Sequence, residues 1–222
     1  MAANKALIEA NWARAMNEVY WPKPAPTILP KGLPGFYAFI ADHIGRDVPL
    51  DYLEFGVAQG NSMRLISSAF TSPYARFYGF DSFMGLPERW QMHDVGAFSN
   101  KGNPPRIDDE RVSFVKGWFQ NSVPPFLDVY RYSRGRPVLV HIDADLYSAT
   151  LFLLASLWAH IEEYFFIFDD FIFDEVVALR DFATAFPVEF RFFAQTKGGG
   201  QRPNPDQVFG HMKRVPFELK PD

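Results

Sequence analysis

The chain has 222 residues, of which 48% are hydrophobic and 17% aromatic, enough apolar material for one generous domain and incompatible with a disordered polymer. Twenty-two basic residues against 26 acidic ones give a formal net charge of −4, so no global field draws the chain to nucleic acid or anionic lipid. Cysteine is absent, which excludes disulfides, thiolate nucleophiles and Cys-ligated metal centres; any metal must be held by oxygen or imidazole.

Leu7, Ala10, Ala15, Val19 and Tyr20 recur at roughly helical spacing, which predicts an amphipathic helix over residues 4–20, a packing or dimer-contact arm. A homodimer is the expected assembly. The N-terminus lacks a continuous apolar segment, and "ATLFLLASLWAH" is too short to span a bilayer, so the expectation is a soluble, cytoplasmic protein with no membrane partner. Five prolines in "WPKPAPTILPKGLPG" remove amides and fix φ, which predicts an irregular linker leading into a helix near Phe36–Ile44. Residues 1–35 therefore read as an arm and linker attached to the single domain.

From Tyr52 onward the rhythm changes. "YLEFGV", "RFYGFD", "VSFVKG", "PVLVHID" and "YFFIFDD" are apolar, strand-like runs separated by helical stretches at Ser62–Phe70, Val123–Tyr132, Ser148–His160 and Asp174–Phe186. This alternation predicts an α/β fold, a Rossmann-like doubly wound sheet of mostly parallel strands. "VEFRFFAQ" and "QVFGHMKRV", joined by the turn-rich "TKGGGQRPNPD", close it with a C-terminal antiparallel hairpin. Residues 85–111 form one long irregular connection, with Trp90 and Phe98 inside it, and read as a lid.

Three groups of residues carry chemistry. In "LEFGVAQGNS" a strand runs into Gly56, Ala58 and Gly60 and then a helix start at Ser62, where small residues let backbone amides approach an anionic or polar ligand. The next strand ends at Asp81, where a doubly wound sheet offers an acid to ribose hydroxyls, and the pair points to an adenosine-containing ligand. NAD and S-adenosylmethionine both satisfy that pattern; Glu54 before the glycines and the closing hairpin favour S-adenosylmethionine. Gly117 and Trp118, at the end of the third strand, could meet the adenine, or Trp118 could belong to the core.

Asp143, Asp145, Asp169 and Asp170 fall at two further strand ends, where ligands gather in such sheets. Clustered carboxylates raise one another's pKa values, and a dication relieves the repulsion, so Asp143, Asp169 and Asp170 form a candidate Mg²⁺ site. Asp145, beside the helix beginning near Ser148, reads as a helix cap. His141 points to the same side of its strand as Asp143 and is either a support for that carboxylate or a core histidine. His93, in the lid, is a candidate base if the loop closes.

These blocks, with "GFDSFMGLPE", "FVKGWFQNSVP", "HIDADLYSAT" and "FIFDDF" in this order over Leu53–Phe171, resemble the TylF-type macrocin O-methyltransferase family, a class I S-adenosylmethionine-dependent group that methylates sugar hydroxyls with Mg²⁺. The resemblance implies that Glu54, Gly56 and Gly60 hold the methionine portion, Asp81 the ribose, and Ser82 with Trp118 the adenine end. It also implies that Asp143, Asp169 and Asp170 hold the metal, with Asp143 as general base acting on a small-molecule hydroxyl acceptor. The "GAFSNKGNPP" stretch and the missing glycine pair before "YFFIFDD" depart from the family pattern. A catalytically silent S-adenosylmethionine-binding module and an NAD-linked oxidoreductase are the competing readings.

Overall fold

Strand propensity decides the centre of this molecule. The computed structural model describes residues 27–29, 33–171, 174–196 and 206–216. Within them lie strands β1 (Thr27–Leu29), β2 (Asp51–Phe55), β3 (Arg76–Asp81), β4 (Val112–Lys116), β5 (Val138–Ile142), β6 (Glu163–Phe168), β7 (Val188–Thr196) and β8 (Val208–Arg214). They form one sheet in the order β1-β7-β8-β6-β5-β2-β3-β4. All neighbours are parallel except those of β8, which runs antiparallel to both β6 and β7. The expected doubly wound sheet with its terminal hairpin is therefore present. β2 and β5 are completely buried, as strands covered on both faces must be.

The helices are α1 (Leu33–Ile44), α2 (Asn61–Ala69), α3 (Phe119–Val129), α4 (Tyr147–His160) and α5 (Asp174–Ala185). Side chains alternate across each strand, so successive residues feed opposite layers. Tyr52, Phe77, Leu139 and Ile167 pack with Phe36, Ile40, Met63 and Ile66 of α1 and α2. Leu53, Phe55, Phe80, Val140 and Phe166 pack with Val123 and Leu127 of α3, Leu153 and Leu157 of α4, and Leu179 and Phe182 of α5. The same alternation puts Glu54 and His141 on the α1/α2 side of the sheet, with Tyr52 and Leu139.

Two expectations are corrected. Residues 27–29, read as irregular because of the prolines around them, form edge strand β1 beside β7, with Ile28 64% exposed. An edge is the place in a sheet where neighbouring prolines cost least. Helix α3 starts at Phe119, not Val123, and carries Pro124 and Pro125 inside it. A start at Val123 would put those prolines in the first turn, where their missing amides cost nothing; they lie one turn deeper, and burial of Val123 and Leu127 outweighs the lost bonds. The helix expected over residues 4–20 lies outside the described residues. No described helix is long and apolar enough to cross a membrane.

Candidate functional site

The strand order reverses between β5 and β2, and ligands of doubly wound sheets bind outside the carboxyl ends at such a point. A cavity of about 740 Å³ opens there. Its wall includes Gly56, Ala58, Asp81, Ser82, Gly117, Trp118, Asp143, Asp145, Asp169, Asp170 and His93. Glu54, Gly60 and Ser62 do not line it: Glu54 is fully buried beneath the turn, where its Oε1 accepts a hydrogen bond from Ser62 Oγ. Gly60 (φ +75°) is backed by Pro105 and Ile107, so the long loop covers the start of α2.

The turn after β2 is built around Asp81. Its Oδ2 accepts the amides of Val57 (2.9 Å) and Ala58 (2.8 Å), and its Oδ1 accepts the amide of Phe83 (2.6 Å). Three of the roughly four acceptor positions of a carboxylate are thus occupied, leaving room for one further donor. Ala58 itself stands at φ +44°, left-handed backbone in the position where the glycine pattern lacks its glycine. Trp118 is 41% exposed at the cavity rim, so of its two readings the rim position is the observed one.

Asp143, Asp145 and Asp170 each present a carboxylate oxygen, and the three lie within 4.8 Å of one another. This grouping differs from the expected set in one member. Asp145 does not cap α4, whose N-cap is Leu146 without any side-chain cap bond. Instead its left-handed backbone (φ +59°) turns it into the cavity. Asp169 lines the same cavity but is engaged elsewhere: Gln207 Nε2 donates to its Oδ1, and His141 Nε2 lies 3.7 Å from that oxygen. His141 is fully buried, and its Nδ1 sits 2.7 Å from the Tyr52 hydroxyl. The structure thus places His141 against Asp169 rather than Asp143.

The electrostatics arise from burial and crowding. Burial, then Asp169 and Asp145, raises Asp143 well above the ordinary carboxylate range. Burial and the neighbouring Asp170 push Asp145 up to about 7; burial and Asp169 push Asp170 to about 6. Burial alone would raise Asp169 too, but His141 and the Gln207 amide more than offset it and hold that acid low. Burial also lifts Glu54 to about 7, against the pull of His141 and Ser62. Three oxygen donors of this kind, mutually repelled and facing a cavity, suit a hard dication such as Mg²⁺.

The long loop is folded, not loose. The Leu86 amide donates to the Ala97 carbonyl and the Gly96 amide to the Leu86 carbonyl, Trp90 and His93 exchange backbone bonds of 3.0 and 2.8 Å, and the Trp90 indole donates to Asp174 Oδ2 at 3.1 Å. Trp90 is buried, and His93 stacks on it at 5.8 Å while touching Phe98 at 4.8 Å. Sequence reasoning misses the roles of Asp145, Gln207, Asp174 and Glu175. The close spacing of Asp145 to Asp143 is the only local signal for any of them.

A glycine turn after β2, an acid ending β3 and carboxylates after β5 and β6, on this strand order, define a class I methyltransferase fold. The fold is shared with the O-methyltransferase from Bacillus cereus solved in complex with SAH, at a TM-score of 0.53 and 14% identity, over 96% of this chain and 91% of that one. The chain belongs to the macrocin-O-methyltransferase (TylF) family, whose model matches residues 4–189, and its enzyme class is O-methyltransferase. It is 28% identical over 184 residues to the 8-demethyl-8-(2,3-dimethoxy-alpha-L-rhamnosyl)-tetracenomycin-C 4'-O-methyltransferase of Streptomyces olivaceus, covering 72% of this chain and 67% of that one. It is 29% identical over 164 residues to the demethyldecarbamoylnovobiocin O-methyltransferase of Streptomyces niveus, covering 64% of this chain and 60% of that one.

Proposed function

We propose that the chain transfers a methyl group from S-adenosylmethionine to a hydroxyl oxygen of a sugar-bearing or similar natural-product-like small molecule, assisted by Mg²⁺. The observation that carries this reading is a single cavity lined both by the glycine turn with Asp81 and by the carboxylate cluster. Gly56, Ala58, Asp81, Ser82, Gly117 and Trp118 would hold the donor, with Glu54, Gly60 and Ser62 shaping the turn from below. Bound there, the donor supplies an electrophilic methyl, and the dication lowers the pKa of an acceptor hydroxyl.

Asp143, Asp145 and Asp170 would hold the ion, with Asp169 fixed behind them by Gln207 and His141. A protonated alkyl hydroxyl is a weak nucleophile, so a carboxylate must take its proton as the new bond forms. Asp143 is the candidate that the sequence suggests; Asp145 stands beside it, with a carboxyl that titrates near neutrality. Trp90, His93 and Phe98 would close the outer wall against water and set the acceptor's approach, which is where proximity contributes. His93, on the cavity wall, is a third candidate for the proton.

The test is direct. Incubating the chain with S-adenosylmethionine, Mg²⁺ and a panel of glycosides and catechols should give products heavier by one methylene, and EDTA should stop their formation. Turnover that is indifferent to EDTA would remove the metal from the scheme; no methylation of any acceptor, with donor still bound, would favour a silent binding module.

A further inference from the structure

Where β5 and β6 leave the sheet, the backbone amides between the acidic residues lose their strand partners. Two of these amides find the same side chain. Glu175, in the first turn of α5 and fully buried, accepts the Ala144 amide on Oε1 at 3.3 Å and the Asp170 amide on Oε2 at 3.2 Å. Ala144 lies between Asp143 and Asp145, so one carboxylate grips both loops that carry the cluster. The adjacent Asp174 accepts the indole N–H of Trp90 and so ties the lid to the same helical turn.

We propose that Glu175 is a positioning residue for the cation site, and that with Asp174 it makes the first turn of α5 the common footing of the acidic cluster and the lid. The inference rests on the reading of that cluster as a cation site. Burial, then the neighbouring Asp170 and Asp169, hold the Glu175 carboxyl well above its ordinary range, and an apolar residue would pack there more cheaply. Its two oxygens meet two amides on separate loops, a geometry that neither hydrophobic packing nor helix capping requires. Fixing the backbone on both sides sets the spacing of the three ligand oxygens, and residues that orient metal ligands in this way typically govern affinity by about 10–100-fold.

The experiment measures free Mn²⁺ by its electron spin resonance signal as it is titrated with protein, Mn²⁺ standing in for Mg²⁺, alongside calorimetry with S-adenosylhomocysteine. Glu175→Gln keeps the shape but can accept only one of the two amides. It should weaken Mn²⁺ about 10-fold or more while S-adenosylhomocysteine affinity stays within about threefold. Wild-type Mn²⁺ affinity in this variant would overturn the proposal. If Glu175→Gln does not fold, Glu175→Asp, too short to span both loops, decides in the same way. Failure of the wild-type protein to bind Mn²⁺ at all would instead bring down the cation-site reading itself. Asp174→Ala should leave Mn²⁺ binding alone and speed tryptic cleavage after the exposed Arg89 several-fold; unchanged cleavage would remove the lid from the proposal.

Discussion

Gly56 lies directly against the backbone carbonyl of Asp143: a Cβ at position 56 would stand 1.8 Å from that oxygen. The turn that would receive the donor and the loop that carries the first acid are thus in contact through a missing side chain. Gly56→Ala must push the two strand ends apart, and its φ of +98° adds backbone strain, so a loss of roughly 3 kcal/mol or more in stability is expected, with weakened donor binding. Ala58 gives the opposite case. At φ +44° it already sits in left-handed backbone, so Ala58→Gly relieves roughly 1 kcal/mol of strain while adding a similar entropy to the unfolded chain. Urea melts should place Ala58→Gly within about 1 kcal/mol of wild type.

Asp143 and Asp145 separate by substitution. Replacing either with Asn removes one ion ligand, but only the residue that takes the proton should leave an enzyme that excess Mg²⁺ cannot rescue. Loss of the base should lower kcat by about 10²–10⁴-fold with S-adenosylhomocysteine affinity nearly unchanged. Because the Asp145 carboxyl, pushed up to about 7, can both hold and release a proton near neutrality, we expect Asp145→Asn to show the unrescued loss and Asp143→Asn a partial recovery at high Mg²⁺; the reverse order would favour Asp143 as the base.

Protons and a cation compete for the same oxygens. Asp145 titrates at about 7 and Asp170 at about 6 when no ion is bound, both raised first by burial. In the folded chain they hold protons that the unfolded chain releases near pH 4, so the ion-free fold loses stability as pH rises from about 4 to 7. The sign reverses for ligation: Mn²⁺ affinity should strengthen over the same interval, as Asp170 and Asp145 give up their protons, and Asp143, also raised by burial, adds to the same trend. Thermal melts at pH 5 and 8, with and without Mn²⁺, should show the larger ion-dependent gain at pH 8. Equal gains at both values would contradict a carboxylate-held ion.

The centre of the sheet is legible in the sequence because each strand from β2 to β6 is a short apolar run ended by Gly or Asp, and those ends are where the site residues stand. Long-range pairing is not. Thr27–Leu29 reads as linker until β7 is beside it, and nothing local marks Glu175 as the partner of amides 31 and 5 residues away. Asp145 reads as a cap because its position before α4 suits one, whereas left-handed backbone, invisible in sequence, redirects it. Glu54 is a ligand contact only by the family resemblance; strand alternation sends it to the α1/α2 side, where it is buried against Ser62.

Far from the cavity, at the opposite end of β2, Asp51 is 1% exposed and holds a small charged knot. Its Oδ1 accepts Arg76 Nε at 2.7 Å and Arg136 Nε at 2.5 Å, and its Oδ2 accepts the Tyr130 hydroxyl at 2.8 Å. These contacts tie β3, the end of α3 and the approach to β5 onto the central strand. Removing one member of a buried ion pair costs about 3–5 kcal/mol because the partners are left uncompensated. Arg76 and Arg136 retain some solvent, 45% and 23% of their side chains, so the lower end applies. Asp51→Ala should therefore lose about 3 kcal/mol in urea melts while S-adenosylhomocysteine affinity, measured below the transition, stays at the wild-type value. A loss under about 1 kcal/mol would mean that the guanidinium groups find water as readily as Asp51.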